Sequence, residues 1–173
     1  FMFFLWFNKN MKILGIDPGL QKTGWGIIEA NGNRLSFIAS GLLKTAANLP
    51  LYARLAILDD GLQKAIAMYQ PDQAAIEETF MNNNARSALK LGQARGALIL
   101  SAARTGLVVS EYAANLIKKS IVGTGHADKN QMGMMVATLL PKAGKVSEDE
   151  ADALAIAICH AHHAQSALRI SQG

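Results

Sequence analysis

The chain has 173 residues, of which 50% are hydrophobic and 17% are charged. This composition fits one compact folded domain and excludes a chain that stays disordered for want of apolar residues. The formal net charge of +4 is modest, and its distribution along the chain is more informative than its size. The one cysteine, Cys159, excludes an internal disulfide and favours a reducing compartment, so a cytoplasmic protein is expected.

The first ten residues, FMFFLWFNKN, differ in character from the rest of the chain. Their apolar run is far shorter than the roughly 20 residues that a membrane helix needs, and they lack the basic segment and cleavage site of a signal peptide. Residues 1–10 are therefore interpreted as an extension that is artificial in origin or disordered. Residues 11–173 are predicted to form a single domain without a membrane segment.

Apolar runs and turn residues predict the order of elements. Three short runs, 12–17, 24–30 and 35–43, read as strands, and the turn sequence NGN at 31–33 joins the last two as a hairpin. Further on, strands are predicted at 73–78 and 107–111, and helices between Pro50 and Pro71 and at about 87–104, 113–121, 127–140 and 148–166. Three strands followed by alternating helices and strands predict an α/β fold, with a mixed sheet covered by helices on both faces.

Charge is concentrated in two segments. Residues 82–130 carry seven basic and two acidic side chains, a net of +5, whereas SEDEAD at 147–152 places four acids in six positions. A basic stretch and a tight acidic cluster on one molecule suggest a polyanion partner and a cation site. Solvated helix faces are the alternative explanation for any single lysine or arginine.

Four acids occupy positions where folding stability alone would not favour a charged side chain. Asp17 ends the first predicted strand and Glu77 ends the fourth. Asp149 and Asp152 are three residues apart at the start of the last helix, so both project from one face. Because functional groups in open α/β sheets gather beyond the strand ends, these carboxylates are expected to converge in one pocket.

Four carboxylates in one small site require a cation, because like charges at close range raise one another's pKa. Mg²⁺ prefers oxygen ligands, and two such ions about 3.5–4 Å apart are a known arrangement for phosphodiester hydrolysis. Simpler explanations remain open for each acid alone: Asp17 can cap the Asp-Pro-Gly turn, and the acids after Ser147 can serve a helix N-terminus.

The glycine-rich stretch GLQKTGWG at 19–26 resembles a phosphate loop but matches neither G-x-G-x-x-G nor the Walker pattern. It leads into a strand instead of a helix, so a dinucleotide site is not expected. The strand-turn-strand element of actin-like ATP-binding enzymes remains an alternative, although no second phosphate loop is found. The glycines are interpreted as a chain reversal that lets a DNA backbone come close.

Several motifs together resemble the RuvC family of bacterial Holliday junction resolvases. They lie in order from Met11 to Ser166: GIDPG and TGWGII (15–28), AIEETF (75–80), SALKLGQARG (87–96), EYAANLIKKSIVG (111–123) and DEADALAIAICHAHH (149–163). The resemblance implies an RNase H-like fold with a five-stranded mixed sheet whose first three strands are antiparallel. It also implies a homodimer that cuts two strands of like polarity across a four-way DNA junction, working with the RuvA–RuvB branch-migration complex.

The resemblance assigns roles to particular residues. The family's metal-binding and catalytic carboxylates fall on Asp17, Glu77, Asp149 and Asp152, with two Mg²⁺ ions, Mn²⁺ as a substitute and no nucleotide cofactor. Hydrolysis is expected to leave a 5′-phosphate and a 3′-hydroxyl. The residues implied to contact DNA are Phe80, Lys118 and Lys129, and Arg86 and Lys90 are added as basic residues that solvation would explain equally well.

Three further interpretations concern the helices and the function. The small residues of helix 87–104 match the region where the family has its dimer contact, and ordinary packing on the sheet is the alternative. CHAHH at 159–163 has too few separated ligands for a structural zinc and is expected to be a partly solvated helix end. A non-catalytic junction-binding protein, in which the acids only tune the electrostatics, is the remaining alternative function.

Overall fold

The structure is a computed structural model that describes residues 10–79 and 84–170. Five strands form one sheet: β1 (Met11–Asp17), β2 (Lys22–Asn31), β3 (Arg34–Lys44), β4 (Gln73–Glu77) and β5 (Val109–Tyr112). The sheet order is β3-β2-β1-β4-β5. The pairs β1–β2 and β2–β3 are antiparallel, and β1–β4 and β4–β5 are parallel. The predicted mixed sheet, with its first three strands antiparallel, is confirmed.

Five α-helices cover the sheet: α1 (Leu51–Tyr69), α2 (Ala85–Arg104), α3 (Ala114–Val122), α4 (Lys129–Leu139) and α5 (Glu148–Ile170). Successive residues of a strand face opposite sides of the sheet, and β1 shows this alternation. Ile13 packs with helices α3, α4 and α5, whereas Leu14 packs with α1 and α2 on the other face. The expected order of elements and the helices on both faces are therefore confirmed.

The ends of the elements differ from the sequence prediction by a few residues. The second strand begins at Lys22 and the last helix runs to Ile170, each farther than predicted. A short 3₁₀ turn at Pro141–Ala143 lies in the loop before α5. No helix of the described residues is both long and apolar enough to cross a membrane.

One edge of the sheet collects the strand ends that matter for the site. The antiparallel strand β2 begins there, and β1, β3, β4 and β5 end there, so that Asp17 pairs with Gly24, Lys22 with Lys44 and Glu77 with Tyr112. We call this the carboxylate edge. The hairpin between β2 and β3, where Asn31 pairs with Arg34, lies at the opposite edge.

Candidate metal centre and nucleic-acid interface

The two strand-end acids lie side by side on the carboxylate edge. Strands β1 and β4 are parallel neighbours, and Ile16 pairs with Ile76, so Asp17 and Glu77 follow at the same level. Residues at the same level of neighbouring strands project toward the same face of the sheet. Both carboxylates are half-buried and belong to strands rather than loops, which fixes their positions.

Helix α5 brings the second pair of acids onto β1 and β2. Gly24 is the cross-strand partner of Asp17, and a Cβ atom at Gly24 would overlap the backbone oxygen of Asp149. The first turn of α5 therefore lies directly against the strand pair, at the level of Asp17. This close approach needs glycine, because any side chain at position 24 would push the helix away.

The acids at the start of α5 divide into two groups. Glu150 completes a capping box: its backbone N–H donates to Ser147 Oγ at 3.3 Å, and its carboxylate accepts from the Ser147 backbone N–H at 3.0 Å. Ser40 of β3 also donates to Glu150 at 2.8 Å, and Glu148 pairs with Lys129. Glu150 is thus engaged in holding the helix start in place, with Ser147 as the N-cap.

The remaining acids lie close enough together to interact electrostatically. Burial is the largest cause of the raised pKa of Asp17, which reaches about 8. The charges of Asp152, Glu77 and Asp149 add to the effect in that order, and Lys129 opposes it. The pKa values of Glu77 and Asp152 are also raised, again mainly by burial, with a neighbouring carboxylate contributing in each case. All four predicted acids therefore belong to one electrostatic cluster.

This cluster has the donor chemistry of a site for hard divalent cations. It offers carboxylate oxygens, which Mg²⁺ and Mn²⁺ prefer, and both burial and the neighbouring carboxylates raise the pKa of Asp17 and Glu77 by more than the nearby lysines lower it. Among the described residues, no three His, Cys, Asp or Glu side chains are drawn together into a finished coordination shell.

Two of the predicted DNA contacts lie beside the cluster. Lys129, at the start of α4, lowers the pKa of Asp17, Glu77 and Asp152. Lys118 of α3 lowers the pKa of the last two. Both cations therefore act on the carboxylates from the α3–α5 face of the sheet.

The other predicted contacts lie elsewhere. Arg86 and Lys90 are exposed at the start of α2 and line a cleft on the opposite face of the sheet. Phe80 lies outside the described residues.

The glycine-rich turn reverses the chain into β2, as predicted. Its Gly19 N–H donates to Thr23 Oγ1 at 3.2 Å, and the Thr23 hydroxyl donates back to Gly19 O at 2.6 Å. The amide that a phosphate cradle would use is thus bound within the turn. The interpretation of the glycines as space for DNA was wrong for Gly24 and Gly26, because both face α5: a Cβ atom at Gly26 would come within 2.6 Å of Leu154 Cδ2.

The expectation that CHAHH is a helix end was wrong, because α5 continues to Ile170. The segment is partly solvated only at its last two residues, His162 and His163, which are half-buried. Cys159 is fully buried and His160 is 6% exposed. The His160 ring is hydrogen-bonded to Tyr112 Oη at 2.8 Å and to Gln73 Oε1 at 2.6 Å, and His162 bonds to Ser120 at 3.1 Å. The nearly unbroken apolar run 153–161 was the signal for burial, since a helix that is apolar all round is buried.

Arg95 is a site-positioning residue that the sequence did not reveal. Its Nε donates to the backbone oxygen of Glu77 at 2.9 Å, and its guanidinium also pairs with Glu111 of β5. It thereby fixes the end of β4 from the side of α2. In the sequence Arg95 is one of seven basic residues in the segment 82–130. Its role becomes visible only when β4 and β5 pair, because that pairing brings Glu77 and Glu111 within reach of one side chain.

A mixed sheet that carries four converging carboxylates at one edge, with cations beside them, is typical of metal-dependent nucleases. The family model for crossover junction endodeoxyribonuclease RuvC matches residues 13–160. A relative of that name from Rhodopseudomonas palustris is 56% identical over 163 residues, covering 94% of each chain. Another from Paramagnetospirillum magneticum is 54% identical over 153 residues, covering 88% of this chain and 92% of the relative.

Solved structures agree. Thermus thermophilus RuvC in complex with a Holliday junction substrate superposes with a TM-score of 0.85 at 30% identity, covering 91% of this chain and 96% of that one. The yeast mitochondrial Holliday junction resolvase shares the fold, with a TM-score of 0.67 at 14% identity over 94% of this chain and 82% of that one. The chain belongs to the RuvC family, and the expected RNase H-like fold is confirmed.

Proposed function

We propose that this enzyme resolves Holliday junctions by paired, symmetric cuts in two strands of like polarity, in recombination and DNA repair in the cytoplasm. The observation that carries the proposal is the cluster around Asp17, where a buried strand ends in a carboxylate surrounded by three others. The relatives named as crossover junction endodeoxyribonucleases and the Thermus thermophilus complex with a junction support the substrate.

Asp17, Glu77, Asp149 and Asp152 would hold two Mg²⁺ ions, with Mn²⁺ as a substitute. When bound, the ions supply Lewis acidity for hydrolysis to a 5′-phosphate and a 3′-hydroxyl. The chain's own residues fix the positions of the carboxylates and of the DNA. Strands β1 and β4 fix two carboxylates, and the capped start of α5 fixes the other two. Lys118 and Lys129 neutralise backbone phosphate as point charges, which positions DNA without reading its sequence.

Symmetric cutting requires two active sites, and we propose that α2 supplies the contact between two copies. Leu89 and Leu100 are 65% and 58% exposed. Gly92 and Gly96 lie on the same helix, and a Cβ atom at either would meet no other atom within 4 Å. Gly92 and Gly96 therefore do not serve packing on the sheet, whereas the alternative explanation holds for Ala94, which is buried in the core. A junction held by such a homodimer is also the substrate that a RuvA–RuvB complex would present.

A four-way junction assay tests the function. Asp17→Asn should reduce cleavage of a synthetic junction in Mg²⁺ at least about 10³-fold, because a residue of the metal cluster is lost, while binding in Ca²⁺ persists. Glu148→Gln is the matched control: this acid lies in the same segment but pairs with Lys129, and we expect less than about a threefold change.

The outcomes separate the alternatives. Cleavage retained in Asp17→Asn would refute the assignment of the site. Binding without any cleavage by the natural chain would favour the non-catalytic junction-binding protein instead.

A further inference from the structure

A basic cleft lies on the α1–α2 face of the carboxylate edge, opposite Lys118 and Lys129. It has a volume of about 310 Å³ and is lined by three cations, Arg54, Arg86 and Lys90, and by apolar side chains that include Leu20, Leu49 and Leu89. No aspartate or glutamate is among the described residues that line it. Residues 80–83, which precede α2, are FMNN and carry no acid.

The charges of this cleft are not neutralised within the described part of the chain. Lys64, Arg95, Arg104 and Lys129 each form an ion pair with an acid, whereas the ion pairs among the described residues include none from Arg54, Arg86 or Lys90. Three cations that converge on one cleft without an acid repel one another. An anion that enters the cleft relieves this repulsion.

Arg54 is held in place for such an anion. Its Nε donates to Thr45 Oγ1 at 2.8 Å, and the Thr45 hydroxyl donates to the backbone oxygen of Leu20 at 2.5 Å. Thr45 is 6% exposed, so this anchor is buried. The two terminal nitrogens of Arg54 form no hydrogen bond or ion pair with the described residues. A guanidinium fixed through Nε presents those two nitrogens as a fork, which suits two oxygens of one phosphate.

The anchor also ties the cleft to the metal cluster. Leu20 is three residues beyond Asp17, which limits the distance between their Cα atoms to about 11 Å. Helix α2 begins eight residues after Glu77, so Arg86 and Lys90 follow the other strand-end acid. The cleft and the Lys118–Lys129 pair therefore flank the carboxylates from opposite faces of the sheet.

We propose that Arg54, Arg86 and Lys90 form a phosphate-binding site for the DNA backbone, on the α1–α2 side of the cleavage position. The inference rests on the proposed function, which makes DNA the substrate, and adds a second point of attachment for the strand. With phosphates held on both faces of the sheet, the backbone is drawn across the carboxylates. The site contributes affinity and position and leaves the hydrolysis to the acids.

Binding of a labelled four-way junction in Ca²⁺, at several salt concentrations, tests the site. Because each neutralised phosphate adds about 0.9 to the slope of log Kd against log salt, the triple variant Arg54→Gln, Arg86→Gln, Lys90→Gln should lower that slope by about 2.7 if each cation neutralises one phosphate. Arg86→Gln alone should weaken binding about threefold to tenfold. Arg34→Gln is the matched control, since Arg34 is an exposed arginine at the opposite edge of the sheet, and it should change affinity less than twofold.

A conservative variant separates position from charge. Arg54→Lys keeps the charge but loses the anchored fork, so it should preserve the salt slope and still weaken binding.

Two results would overturn the inference while leaving the proposed function intact. One is a triple variant whose affinity and salt slope equal those of Arg34→Gln, with junction cleavage preserved. The other is loss of the dimer by the triple variant in sedimentation velocity, which would assign the cleft to a protein contact. Failure of the natural chain to cut junctions would instead refute the proposed function, and the salt slope could still be measured on duplex DNA.

Discussion

Two polar regions lie between α5 and the sheet, and they differ in whether their charges and hydrogen bonds are matched. Near the middle of the helix, His160 is hydrogen-bonded to both Tyr112 and Gln73. At the helix start, the carboxylates around Asp17 have raised pKa values and too few cations. The described residues hold no buried side-chain polar atom without a hydrogen-bond partner. The excess charge at Asp17 is therefore a specific exception, which is typical of a functional site.

The largest expected effect comes from breaking the contact that forms the carboxylate cluster. Gly24→Ala places a Cβ atom against the backbone oxygen of Asp149. Because the obstacle is backbone, α5 must move, and we expect a loss of about 3 kcal/mol or more in the free energy of unfolding together with much slower cleavage. Chemical denaturation and the junction assay measure the two effects.

Gly133→Ala in α4 is the control for that substitution. A Cβ atom there meets nothing within 4 Å, so the change should stabilise the helix by up to about 1 kcal/mol. If Gly24→Ala were equally harmless, the close packing of α5 on β2 would not be what positions Asp149 and Asp152.

The pH dependence of stability sharpens the comparison. Between pH 6.5 and 8 the folded metal-free protein keeps a proton on Asp17, whose pKa is about 8, while the unfolded chain, with a pKa of 3.8, has lost it. The folded state then binds more protons, so stability falls as pH rises, by about 1 kcal/mol per pH unit. Denaturation in EDTA across this range measures the slope.

Asp17→Asn should remove most of that slope. His160 has a pKa lowered mainly by burial, so its contribution to stability rises with pH, but only below its usual value of 6.5. It therefore does not obscure the range above pH 6.5. An equal slope in the natural chain and in Asp17→Asn would show that Asp17 is not the group that titrates.

The smallest effect is expected in the region around His160, where the hydrogen bonds are satisfied. Tyr112→Phe removes the hydroxyl that bonds to His160 Nδ1, which should cost about 1 kcal/mol of stability and leave the cleavage rate per folded molecule unchanged. Tyr52→Phe, at a side chain that is 78% exposed, is the control and should change nothing measurable. A large loss of cleavage in Tyr112→Phe would instead tie this network to the active site.

Local patterns were enough to predict the order of elements and the position of each acid. Asp17 and Glu77 end apolar strands, and an acid at such a point is visible in the sequence alone. What escaped prediction depends on contacts between distant segments. The role of Gly24 depends on the path of α5, and the role of Arg95 depends on the pairing of β4 with β5. Thr45 links Leu20 with Arg54 only after the sheet has formed.

Thermal unfolding of the natural chain and of Asp17→Asn, each in EDTA and in Mg²⁺, tests the central claim most directly. We predict that Asp17→Asn is the more stable of the two in EDTA at pH 7, by about 1–2 kcal/mol or roughly 3–6 °C, because it removes an acid that burial and its acidic neighbours force to take up a proton on folding. Mg²⁺ should then raise the Tm of the natural chain but hardly that of the variant. Asp60→Asn, at an exposed acid paired with Lys64, should show no such gain in EDTA. A variant that is less stable than the natural chain in EDTA, with equal stabilisation of both by Mg²⁺, would contradict a cation site at Asp17.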